Sequence, residues 1–420
     1  MSIEPCDGLV RWAMATCLAI GVFGAGATAR ADESLDRLLA QAMTDNPEIV
    51  AARERWEAAK AEGPQARALD DPVAGITAWS IPSDFDVSET GEVWYGLSQA
   101  FPFPGKRALK GRVADRMADA AEQAYRAAGL EVRAGIKRAY ARLYRVQREI
   151  AINTEHQALL EDLVQTGLER YAVGQTTQGE TLKAQVDLSI LHADLLALEQ
   201  EQQSLRIELN TLVGRPDAQL FFGQADVEFR PLTISVNALE AAALERRPEI
   251  LAAQRELAGR DAAVSLASLD HRAPDFMAEV QYWDVHDGPN RWMVGGRMTL
   301  PWFSVSKYRS NAAQAASGRR AAAAKLDAAR NETIQRVRDL FLRVTTSETV
   351  VDLYRSGIVA QAEQALESAR IAYAAARTDF AHLIDAERRL RDVRLAADLA
   401  LTDWAERLAE LERVVGGDVR

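Results

Sequence analysis

Five histidines, His156, His192, His271, His286 and His382, and two cysteines, Cys6 and Cys17, are the side chains best suited to hold a transition metal or attack an electrophile. The histidines are scattered, and none belongs to a His-Glu-x-x-His or similar ligand cluster. Both cysteines fall in the first 17 residues, so the rest of the chain has no thiol for a zinc site, disulfide or nucleophile. There is no phosphate loop and no nucleophile elbow. The sequence therefore predicts no catalytic residue, no cofactor and no stoichiometric metal site. A net charge of −11 without a basic block excludes a nucleic-acid partner, whose phosphates would demand Lys and Arg.

The elements that remain must act by shape. Of the 420 residues, 48% are hydrophobic and only 7% aromatic, with 13 Pro and 25 Gly, which predicts long helices. Arg11 precedes an apolar stretch, Trp12 to Ala27, followed by Thr28-Ala29-Arg30-Ala31. That pattern reads as a cleaved export signal over residues 1–31. Cys17 lies inside the apolar stretch after Met14-Ala15-Thr16, a poor lipobox, so no acylated N-terminus is expected. Nothing after Asp32 supplies the ~20 consecutive apolar residues of a membrane helix. If the mature chain crosses a membrane, strands in a closed barrel must do it.

The mature chain reads as one unit written twice, over residues 32–232 and 233–420. Asn46-Pro47-Glu48-Ile49 recurs as Arg247-Pro248-Glu249-Ile250, Phe101-Pro102-Phe103 as Leu300-Pro301-Trp302, and Arg170-Tyr171-Ala172-Val173-Gly174 as Ala372-Tyr373-Ala374-Ala375-Ala376, each about 200 residues later. Within each half a helix starts at the Pro-Glu step, where Pro suits the first helical turn and Glu its dipole. The helices run to about Leu69 and Leu269. Two short strands follow, Ala74–Ile81 with Glu92–Gln99, and Asp275–Trp283 with Trp292–Thr299, separated by turn-rich segments. A very long helix comes next, Ala108 to about Val173 and Lys307 to about Ala375. Val132, Ile136, Tyr140, Leu143, Val146 and Ile150 mark its packed seam. After a break, shorter helices run to about Leu212 and Leu411. Their lengths let the first and last helices of each half lie end to end beside the long one, making a rod with a hairpin at one end and a helical turn at the other.

Trp79, Trp94, Trp283, Trp292 and Trp302 fall in or beside the hairpins, as do Tyr95 and Tyr282. Aromatic hairpins on an exported chain point to strands in the outer membrane. Four strands cannot close a barrel, since membrane barrels begin at about eight. Neighbouring copies must then satisfy the open edges: two copies give eight strands and three give twelve.

Asn46-Pro47-Glu48-Ile49, Leu97-Ser98-Gln99-Ala100-Phe101-Pro102-Phe103-Pro104-Gly105-Lys106, Arg170-Tyr171-Ala172-Val173-Gly174 through Glu180-Thr181-Leu182, and Leu209-Asn210-Thr211-Leu212-Val213-Gly214-Arg215-Pro216 closely resemble the TolC-like outer-membrane efflux family. So do Arg247-Pro248-Glu249-Ile250 and the second hairpin, and the Phe-Pro-Phe-Pro-Gly-Lys segment is most similar to the CzcC-like branch that serves metal exporters. The resemblance covers essentially the whole mature chain. It implies a mostly α fold with two β-hairpins. Three copies form a periplasmic α-barrel joined to a 12-stranded outer-membrane β-barrel set in lipid. It further implies the exit duct of a tripartite pump, with a periplasmic adaptor and an inner-membrane transporter of the RND type as partners.

The same resemblance places a periplasmic tip at the helical turns. Val173, Gly174, Gln175, Thr176 and Thr177, with Ala376, Arg377 and Thr378, become adaptor-contacting residues. Asp385, His382 and Asp379 become the pore gate, and Trp79, Trp94, Tyr95, Tyr282, Trp283 and Trp292 the barrel aromatics. Family members commonly carry two acidic residues three apart at the gate; here Asp385 matches the second, and His382 replaces the first. Three copies of Asp385 about an axis would attract cations, and His382 would make that ring pH-sensitive. Two other readings stay open on sequence: the outer-membrane duct of a type I protein secretion system, and a soluble periplasmic coiled-coil adaptor.

Overall fold

The computed structural model describes residues 35–81, 83, 91–172, 178–216, 223–375 and 377–419. The expected export signal, and Val173, Gly174, Gln175, Thr176, Thr177 and Ala376 at the tip, lie outside these residues.

The chain opens with α1 (Leu35–Asp45) and α2 (Pro47–Arg67), separated by a single residue, Asn46. Asn46 is buried, and its side-chain oxygen accepts from the Glu48 and Ile49 amides at 2.8 and 3.1 Å, capping α2. Its Nδ2 donates to the Leu212 carbonyl at 2.8 Å. Strands β1 (Val73–Trp79) and β2 (Glu92–Phe101) lead into α3 (Lys106–Ala172), 67 residues long, and then α4 (Gln178–Val213). The same order recurs: α5 (Val236–Arg246), α6 (Pro248–Arg272), β3 (Phe276–Val285), β4 (Arg291–Met298), α7 (Val305–Leu353), α8 (Val359–Ala374) and α9 (Phe380–Val415).

Helices α2 and α4 both pack along α3, as the length comparison requires. Val132, Ile136, Tyr140, Leu143 and Val146 form the seam and are buried, with Ile150 partly so. The seam has an occupant the sequence reading did not provide. Leu38, Leu39 and Ala42 of α1 fill it beside Leu205, Leu209 and Val213 of α4. The second half has its own cluster around the fully buried Trp404, whose indole meets Phe229 edge-on at 4.9 Å between centroids.

The halves are not separate rods. Helix α3 also packs on α6 and α9 of the other half. Charged pairs zip the α3–α9 contact, among them Arg138–Glu410 at 3.0 Å and Arg142–Glu406 at 2.6 Å. The second long helix is interrupted by a π-turn at Tyr354–Ile358 between α7 and α8. The two hairpins likewise join through β2 and β3 into one antiparallel sheet in the order β1-β2-β3-β4. Among the described residues, both edges, β1 and β4, are unpaired within the chain.

Candidate functional site

The sheet has two chemically different faces, because alternate residues of a strand point to opposite sides. Register places Ile76, Tyr95, Leu97, Phe101, Phe276, Val280, Tyr282, Trp292, Val294 and Met298 on one face. It is apolar and uncovered: Ile76 is 73% exposed, Trp292 72% and Val294 83%. Tyr95, Tyr282 and Trp292 cluster toward the hairpin turns, and Phe101 with Phe276 toward the helices. Two aromatic belts flanking an aliphatic band are what a strand surface in contact with lipid requires. No helix among the described residues is long and apolar enough to cross a membrane. The sheet is therefore the element suited to that solvent.

The other face is polar and carries the remaining three barrel tryptophans. Glu279 pairs with Arg297, and Arg291 with Glu92 at 3.4 Å. Trp94 stacks on Trp283 with centroids 4.4 Å apart, and Trp79 lies 5.0 Å from Trp94 on the other side. The Arg291 guanidinium sits over Trp283, 5.2 Å from the ring centre. Each of the two central indole N–H groups is held by a neighbour two residues back, Trp94 by Glu92 at 3.1 Å and Trp283 by Gln281 at 3.0 Å. The six aromatics named from the sequence thus divide equally between lipid-type and lumen-type faces. Alternation in Ala74–Ile81, with its small side chains, carried too little contrast to make that division.

A third feature is the junction between sheet and helices, which sequence reasoning noted only as a motif. Lys106 is 4% exposed yet bears a charge. Its ammonium contacts Asp270 at 3.3 Å and Asp275 at 2.9 Å, and donates to the Ala273 carbonyl at 3.0 Å. Asp275 also accepts from the Phe103 amide at 2.8 Å. The turn that delivers Lys106 uses Gly105 at φ +98°. The Phe-Pro-Phe-Pro-Gly-Lys segment of the first half is thereby tied to the α6–β3 corner of the second.

At the far end, Asp379 is the N-cap of α9, its carboxylate accepting from the His382 amide at 3.0 Å. His382 and Asp385 are exposed one turn apart on that helix. Asp385 lies 3.9 Å from Arg388, which is bound more closely by Asp187 of α4. Arg377 donates its backbone amide to the Ala372 carbonyl at 2.8 Å, and Thr378 is half-buried beside it. Further along the shaft, α3, α8 and α9 enclose a cavity of about 550 Å³ lined by His156, Glu387, Arg370 and Arg391, with Leu366 and Leu390. Burial, reinforced by the Arg391 and Arg388 charges, pushes the buried His156 down to about 4. Among the described residues no group of His, Cys, Asp and Glu is arranged to hold a metal.

A four-stranded membrane-type sheet on a bundle of very long helices defines an outer-membrane channel protein with a periplasmic shaft. The family model for outer membrane efflux proteins matches residues 38–215 and 239–417, and the chain belongs to that family. It is similar to the cobalt-zinc-cadmium resistance protein CzcC of Cupriavidus metallidurans, with 22% identity over 316 residues, 74% of each chain. Among solved structures it resembles the outer membrane protein VceC of Vibrio cholerae, with a TM-score of 0.74 and 21% identity over 92% of this chain and 97% of that one. It also resembles CusC, with a TM-score of 0.78 and 15% identity over 92% and 93%. The resemblance to the TolC-like family and its CzcC-like branch therefore holds, as does the mostly helical fold with four strands. The chain is an outer-membrane efflux channel, with its helices extending into the periplasm, and the soluble-adaptor reading falls away.

Proposed function

We propose that three copies close their strands into one twelve-stranded barrel, and that the resulting duct passively passes metal cations out of a tripartite pump. The observation that carries this reading is the open sheet, apolar on one side, polar on the other and, among the described residues, unpaired at both edges. Edges left open in lipid would strand their backbone groups, so neighbouring copies must pair them. The relative CzcC, a cobalt-zinc-cadmium resistance protein, supports cations as cargo. On this reading residues 1–31 direct export, and residues 32–232 and 233–420 are two repeats of one unit. The tip turns, Val173 to Thr177 and Ala376 to Thr378, meet the periplasmic adaptor, which links the duct to an inner-membrane transporter of the RND type.

Asp385 and His382 then line the periplasmic entrance, and Asp379 supports them by starting α9 where it does. Asp385 suits the role because its side chain is 63% exposed and its 3.9 Å contact to Arg388 is weak. A strain lacking the gene should become more sensitive to cobalt, zinc and cadmium and regain resistance with the intact chain. Unchanged metal tolerance beside new drug sensitivity would remove the cargo assignment. Trimers carrying Asp385→Ala should lose block by divalent cations in planar bilayers; unaltered block would remove the gate.

A further inference from the structure

The polar face of the sheet carries a stack that stops at its edge. Arg291, Trp283, Trp94 and Trp79 follow one another across β4, β3, β2 and β1. Arg291 caps one end, whereas Trp79 on the outer side of β1 is 51% exposed, with no strand beyond it among the described residues. An indole in this position has a bare face directed along the sheet toward the next strand.

Barrel geometry says what that strand presents. For twelve strands tilted by ~35–45°, with ~4.8 Å between strands and ~3.3 Å per residue, the stagger around the barrel is about 12–17 residues, or about 4–6 per copy under threefold symmetry. In the register of one chain, the level of Trp79 runs through Glu92 and Val285 to the turn just before β4. Moving that level by 4–6 residues in one direction leaves β4 altogether. In the other direction it reaches Met293 to Gly295. An even shift keeps the same face, so both Met293 and Gly295 project where Trp79 does. A side chain at Gly295 would meet nothing within 4 Å, leaving open floor for a ring, and the Met293 thioether is a favourable neighbour for an indole edge.

We propose that Trp79 crosses the subunit seam and packs on the Met293–Gly295 stretch of a second copy, so that the indole stacks of three chains, joined at each seam across β4, form a collar inside the outer end of the barrel. The collar is incomplete in any single chain. The inference rests on the three-copy reading and adds to it the register of the seam and the residues that fill it.

Disulfide trapping in the full chain tests it. The two native cysteines precede residue 18, and Trp79→Cys alone controls for them. Oxidation of Trp79→Cys/Met293→Cys or of Trp79→Cys/Gly295→Cys should convert most of the protein to a covalent trimer on a denaturing gel. Trp79→Cys/Ala278→Cys, with the second cysteine on the opposite face, should give none. A trimer that persists before heating but cross-links through neither pair overturns the collar. Absence of any trimer overturns the assembly reading instead. Should the paired variants fail to assemble, a nitroxide on Met293→Cys reports with Trp79 intact, because its own chain's Trp79 lies roughly 20 Å away by strand spacing. Part of the quenching of tryptophan emission should disappear on Trp79→Phe, and no change would overturn the proposal.

Discussion

Replacing Lys106 by Met probes the joint between membrane sheet and helical shaft. Methionine keeps the unbranched stem and removes only the charge, so the packing around the methylenes survives. The substitution strands two carboxylates and the Ala273 carbonyl at a corner shared by both halves. Breaking a fully buried charge pair costs ~3–5 kcal/mol. Here Asp270 and Asp275 are 29% and 41% exposed, so water takes up part of the loss. About 2–3 kcal/mol should remain. Guanidinium unfolding of the detergent-solubilised protein, followed by tryptophan emission, measures it. Because the cost lies in the uncompensated anions, adding Asp275→Asn to Lys106→Met should recover about 1 kcal/mol, while the asparagine oxygen still accepts from the Phe103 amide. A single substitution within about 0.5 kcal/mol of wild type, or a double variant weaker than the single, would refute the account. Limited proteolysis should also cut first within residues 101–105 of Lys106→Met if that segment is released.

Three further outcomes follow from named contacts. His156 is held neutral, with its proton affinity lowered from 6.5 to about 4 by burial, so the unfolded chain takes up the proton first. Its contribution is complete above pH 6.5 and declines as the pH falls toward 4; His156→Gln should flatten that part of the stability–pH curve, and parallel curves would exclude it. Gly214 has φ +84°, and a Cβ there would overlap the Asp45 carbonyl, whereas at Gly416, φ +93°, it would lie 3.0 Å from the Arg246 carbonyl. Gly214→Ala should therefore cost about 2–3 kcal/mol in chemical unfolding and Gly416→Ala less. Asp379→Ala should remove the cap of α9 and cost about 1 kcal/mol, seen as faster hydrogen exchange over residues 380–383, with Asp379→Asn close to wild type.

The long helices and both hairpins were legible because each rests on local pattern: the three/four seam of α3 and the period-two aromatic runs. Helix α1 is hidden in the sequence although Leu35, Leu38, Leu39 and Ala42 are spaced for it. The Asn46-Pro47 step reads as a helix start, and only one residue separates the two helices. The same holds for α5 before Arg247-Pro248. The π-turn at Tyr354–Ile358 has no sequence signal to match. Pairing of β2 with β3 joins residues nearly two hundred positions apart, and nothing in either hairpin alone specifies it. Lys106 stood in a recognised motif, but its role depends on Asp270 and Asp275 from the other half.

Helix α4 shows why apolar periodicity in such a chain must be read twice. Ala184, Leu191, Leu195, Leu205, Leu209 and Val213 are buried against α3 and its neighbours. Leu182, Val186, Ile190, Leu196 and Ile207 are 51–68% exposed and fall along another side of the same helix. A helix with one apolar stripe has one partner, and a helix with two has a second partner outside the chain. The open edges of the sheet make the same demand at the membrane end. Shaft and barrel thus ask independently for lateral neighbours. A ring of copies would answer both with a single rotation, placing the uncovered side of α4 against the next shaft while β1 meets the next β4.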